Sequence, residues 1–152
     1  MKLTWPVTIA LLAVLFLSGC GGPSIEGDWA VVPAEEMPFQ ATVTMNFEKP
    51  DKARSRVLAQ TEAPLIGEVK IQADIVGTWN LENDVLTFVP QDAKLSSTDG
   101  KDIPGFIADQ AKSMIQDKMA KTATGKVKWS GSDKFTVVLD GGQSAVFTQL
   151  KS

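Results

Sequence analysis

Hydrophobic and polar side chains alternate almost strictly through "EVKIQADIVGTWNLE", residues 68–82. Val69, Ile71, Ala73, Ile75, Gly77, Trp79 and Leu81 share one face, and Lys70, Gln72, Asp74, Thr78, Asn80 and Glu82 share the other, with only Val76 out of place. A period of two belongs to a strand with one buried face, and the interior glycine predicts a bend at Gly77. "ATVTMNFE" repeats the pattern with Ala41, Val43, Met45 and Phe47, and "KFTVVLD" does so with Phe135, Val137 and Leu139. Adding Trp29–Val32, Arg54–Gln60, "VLTFV" at 85–89 and "KVKW" at 126–129 gives about eight strands. The polar turns "ENDV", "SGSD" and "LDGGQS" join neighbours as hairpins. Strands linked in chain order predict a mainly β fold, an antiparallel up-and-down barrel or a strongly curled sheet.

One segment breaks the period. "DIPGFIADQAKSMIQDKMAKTATG" carries an apolar stripe through Ile107, Ala111, Met114 and Ile115, with Met119 at one edge. Asp102 is expected as its cap, Pro104 in its first turn and Gly125 as its stop, giving one inserted amphipathic helix at about 104–121. A helix so placed is expected to close or flank the barrel.

The first twenty residues read differently. Lys2 is followed by an almost wholly apolar run, Trp5 to Leu17, which ends in the small residues Ser18 and Gly19. As a helix it would rise about 20 Å, too short for the ~30 Å hydrocarbon core, so it reads as a secretory signal. "LSGC", Leu17 to Cys20, resembles the lipobox of bacterial lipoproteins. The resemblance implies cleavage after residue 19, acylation of Cys20 and attachment to a membrane through the N-terminal lipid. Two or more acyl chains make a stable anchor where one is marginal. The expected organisation is therefore a signal peptide at 1–19, a lipidated cysteine and tether at 20–24, and a β domain at 25–152. Gly21, in place of the aspartate that retains such proteins in the inner membrane of enteric-type cells, points to the outer membrane facing the periplasm.

Composition narrows the chemistry. The 152 residues hold no histidine, no tyrosine and one cysteine. The usual neutral-pH acid/base group, the commonest metal ligand and any Ser-His or Cys-His pair are absent from the chain. A formal net charge of −3 gives no basic surface for nucleic acid, and Lys49, Lys52, Arg54 and Arg56 read as a solvated loop and strand start. Glu35-Glu36 and the Asp99/Asp102 loop lack the spacing of a calcium loop or a paired-carboxylate site. No S-x-x-K or G-x-S-x-G occurs. The expectation is a protein that is not an enzyme and has no catalytic residue, metal site or cofactor.

Two Gly-x-Trp motifs remain: Gly27-Asp28-Trp29 and Gly77-Thr78-Trp79. With "GTWNLENDVLTF" they resemble the lipocalin-like group of the calycins, small antiparallel barrels whose early Gly-x-Trp packs across the closed end. The resemblance implies a structural role for Trp29 and an enclosed apolar ligand. The chain carries no arginine near its C-terminus to stack on that tryptophan, and Lys151 is the nearest substitute. The candidate ligand-facing residues are Ile71, Ile75, Trp79, Met114, Val127 and Trp129. The other reading of these six is plain core, because eight strands can fill their own interior with side chains. The expected function is a membrane-anchored envelope lipoprotein binding an apolar or amphipathic small molecule. The alternative is a non-enzymatic envelope scaffold that binds another protein.

Overall fold

The computed structural model describes residues 23–34, 36 and 39–151. The expected signal segment, Cys20 and Glu35 lie outside the described residues. Eight strands and one helix follow in order: β1 Gly27–Pro33, β2 Gln40–Glu48, β3 Lys52–Ala63, β4 Gly67–Glu82, β5 Val85–Ser97, α1 Gly105–Met119, β6 Ala123–Trp129, β7 Lys134–Leu139 and β8 Ser144–Gln149. Each strand pairs with the next, and β8 returns to pair with β1, closing an antiparallel barrel. β1 makes the seam: Trp29 lies opposite Met45 of β2 and Gln149 of β8.

The barrel is uneven. β3, β4 and β5 run twelve, sixteen and thirteen residues, while β6, β7 and β8 run seven, six and six. β6 meets β5 only over Val85–Phe88. The molecule is thus a short closed ring with a tall wall of β3–β5 rising from one side. Above Phe88, β5 has no β6 partner, and α1 packs against β5 instead. An uncovered strand edge is a pairing hazard, and a helix laid on it is one of the usual remedies.

The wall keeps its phase through a bulge. Val76 pairs with Asp92 but Gly77 with Pro90, so Gln91 is an extra residue on β5. Below it Leu86 and Phe88 face the interior with Leu81 and Trp79; above it Ala93, Leu95 and Ser97 face the interior with Ile75, Ala73 and Ile71. The bend expected at Gly77 is there. A methyl at Gly77 would collide with the Val89 carbonyl, the Phe88 ring and the Pro90 backbone.

Three local expectations change. α1 is capped by Pro104, with no side-chain cap bond, so Asp102 does not cap it; the Pro104 carbonyl accepts from the N–H groups of Ile107 and Ala108. The helix ends at Met119 with Ala120 as its C-cap, not at Gly125. Gly125 lies in β6, where a side chain would strike Val137 and the Val138 carbonyl. Met114 also leaves the stripe: Ile107, Ala111, Ile115 and Met119 are the covered positions, spaced by four, while Met114 is 48% exposed.

Gly77→Ala should lower stability by about 3 kcal/mol in urea unfolding, since the backbone on both sides must shift. Gly141→Ala, which meets nothing within 4 Å, should change it by less than about 0.5 kcal/mol.

Candidate functional site

The closed ring has an aromatic plug. Trp29 is 0% exposed and its indole N–H donates to the Ile25 carbonyl at 2.7 Å. Phe135 stands edge-on to it with centroids 4.6 Å apart, and stacks on Phe147 at 4.6 Å with planes 10° apart. Trp129 and Phe47 extend the cluster, and Trp79 sits edge-on to Phe47 at 5.6 Å. Rings therefore occupy the place where the resemblance calls for a cation, and Lys151 is exposed. The Trp79 indole N–H donates to the Glu48 carbonyl at 2.9 Å.

A second, smaller cluster caps the far end. Ile107 of α1 packs with Ala63 and Val69 at the tips of β3 and β4, joined by Ile71 and Ile103. Between plug and cap, opposite pairing places Val43, Val57, Ala59, Ala73, Ile75, Ala93 and Leu95 on the inner side. None of these seven is buried; each keeps partial solvent access. The wall outlasts the ring, so its upper inner face has no opposing strand to fill the space. These seven form a partly exposed inner face of aliphatic side chains.

The sequence-predicted residues divide accordingly. Ile71 packs against the Ile107 cap, and Ile75 lies midway along the inner face of β4. Val127 is buried in the plug, and Trp79 and Trp129 pack against it. Met114 is exposed on the helix and lines nothing. Gly27, Trp29, Gly77 and Trp79 hold the closed end and its bend, with Gly27 at a left-handed φ of 112°. The small inner residues Ala59, Ala73 and Ala93 were not singled out from sequence, although the alternation already put Ala73 on the inner face.

Two concavities of about 510 and 460 Å³ open along the wall, the smaller lined by Leu58, Ala59, Gln60, Ile71 and Gln72, among others. The larger is lined by Asp28, Asn46, Lys52, Arg54, Arg56 and Val76, among others. Three of its lining side chains, Asp28, Asn46 and Arg56, are bonded within the sheet. Arg56 Nε donates to Asp74 at 2.8 Å, Gln72 donates to the other Asp74 oxygen, and Asn46 donates to Asp28 at 2.9 Å. Burial pushes the Asp74 carboxyl up, but the bonds from Arg56 and Gln72 and the charges of Arg56 and Arg54 outweigh it and hold it below the ordinary range. On the loop after β5, the Ser97 hydroxyl and the Lys101 N–H hold Asp99 low in the same way. Among the described residues no three Cys, Asp or Glu side chains are grouped to hold a metal ion.

The closed eight-stranded meander is consistent with a lipocalin-like fold. No protein-family model matches the chain, and no curated protein matches it.

Because the folded state holds Asp74 below its unfolded value, the pair stabilises the fold above the unfolded carboxyl pKa. That contribution disappears as pH falls through the lower folded value. Asp74→Asn should cost less than about 1 kcal/mol at neutral pH, since Arg56 is half exposed. It should also flatten the fall of the melting midpoint below about pH 4, read by circular dichroism from pH 2 to 7.

Proposed function

We propose that this chain is a non-enzymatic, lipid-anchored barrel of the bacterial envelope that holds an apolar or amphipathic small molecule in its half-open lumen. The observation that carries the reading is the partly exposed aliphatic inner wall between the aromatic plug and the Ile107 cap. Water-facing aliphatic surface is unfavourable by roughly 25 cal/mol per Å², and a ligand with an aliphatic part removes that cost. The seven inner-wall residues are all aliphatic, so this stretch favours the apolar part of a molecule and leaves a polar end at the mouth. The anchor rests on the lipobox resemblance at Leu17–Cys20 and supplies the membrane context.

Two variants test the halves separately. Cys20→Ala should leave the protein unacylated and shift it out of the membrane fraction, read by intact mass and fractionation; unchanged mass and fractionation would refute the anchor. Ala73→Phe probes the lumen, because Ala73 lies between Val57 and Leu95 on the inner wall. An open lumen accepts the ring with little change in stability and loses any small mass retained in native mass spectrometry of host-extracted protein. A filled interior would instead be overpacked, with a loss of about 1–3 kcal/mol, and that result would sink the carriage reading.

A further inference from the structure

The turn between β3 and β4 carries Leu65 and Ile66 at its tip. Leu65 is fully exposed and sits at a left-handed φ of 72°, and Ile66 is 50% exposed. That conformation suits glycine or asparagine and is strained for a branched side chain. The position is thus unfavourable twice, in backbone and in hydration, and such strain points to a role at the tip itself. Phe106, 60% exposed, follows the same edge. Its neighbour Ile107 packs on Ala63 and Val69, the residues that flank the turn.

We infer that Leu65, Ile66 and Phe106 form a wedge that inserts into an electrically neutral lipid surface. Shape and size favour lipid over protein. The turn has open space around it at Gly67, and three side chains present far less than the roughly 800 Å² per partner of a stable protein interface. Shallow insertion needs only a few large apolar side chains at the headgroup boundary. Charge sets the lipid type. Glu62 and Glu68 lie opposite each other on the strands that the turn joins, and Lys70 and Lys101 are already paired with Glu68 and Asp99, which leaves the charge of Glu62 uncompensated beside the tip. A net negative rim is repelled by anionic headgroups. The wedge lies at the mouth, remote from the end where Ile25 joins the plug, so its insertion is separable from N-terminal anchoring and does not require an occupied lumen.

The test uses the full chain with Cys20→Ser, so that an introduced cysteine is its only thiol. A polarity-sensitive dye is placed at Leu65→Cys or, as a control on the outer wall, at Leu58→Cys. Vesicles of phosphatidylcholine carrying quenchers on the acyl chains should blue-shift and quench the dye at 65 and leave that at 58 unchanged. Doping the vesicles with phosphatidylglycerol should weaken the effect. In the unlabelled Cys20→Ser chain, adding Leu65→Ser with Phe106→Ser should lower vesicle partitioning at least about tenfold, with the circular dichroism spectrum unchanged. A dye at 65 that stays in water with every vesicle overturns the inference. So does equal quenching at 58 and 65, which would mean adsorption through the N-terminal segment, or stronger binding to anionic vesicles. A dye at 65 that ignores lipid but is shielded by a protein from the host envelope overturns it in favour of a protein-docking tip.

Discussion

The structure depends on one ring, the indole of Trp29, on the one strand that closes the barrel. β1 pairs with β2 through Gly27–Val31 and with β8 through Trp29–Pro33, so losing β1 would leave two open edges in place of none. Trp29 fixes that strand from inside. Its N–H is satisfied by the Ile25 carbonyl, and its faces meet rings from β6 and β7. A buried tryptophan brings large apolar area, but only where its one polar atom finds a partner. Ile25, just before the strand, supplies the carbonyl and is itself buried. Five consecutive chain positions, Ile25 to Trp29, thus couple covalent order, ring packing and sheet closure.

Packing so dense at one end leaves the other end short of material. Rings from β1, β2, β6, β7 and β8 all reach the plug, and three of those strands are too short to rise above it. The tall wall then stands with its inner face half covered, and the helix adds apolar contact at its top through the buried Ile107, with Ile103 beside it. The partial exposure of this inner face follows from unequal strand length, since the short strands β6–β8 end below the top of the wall.

Sequence pattern revealed the wall where burial is one-sided and hid it elsewhere. The alternation in β4 survives the whole strand because both of its neighbours are long, and the phase holds across the bulge. β5 was legible only to Val89. Pro90 and the polar run after it mimic a loop, yet Pro90 sits at a bulge, where no ladder bond is required of it. The Asp74–Arg56 pair links residues eighteen apart, and it depends on hairpin register, which a one-residue slip would abolish. Met114 shows the opposite failure. An apolar residue on a helix with one buried position satisfies the stripe by spacing alone, and only the real contact line at Ile107, Ala111, Ile115 and Met119 excludes it.

Helix and turn at the mouth answer the same constraint from two sides. α1 has one buried side chain in fifteen residues, so tertiary packing holds it more weakly than the strands beneath, and local opening there costs less than opening the plug. The β3–β4 tip beside it projects beyond any neighbour, with apolar side chains that the fold itself does not use. The barrel has its firmest contacts at the sealed end and its weakest at the other, so local opening there leaves closure undisturbed. The seam at β1 never has to break, because Trp29 and the ladder to β8 lie at the end away from the opening.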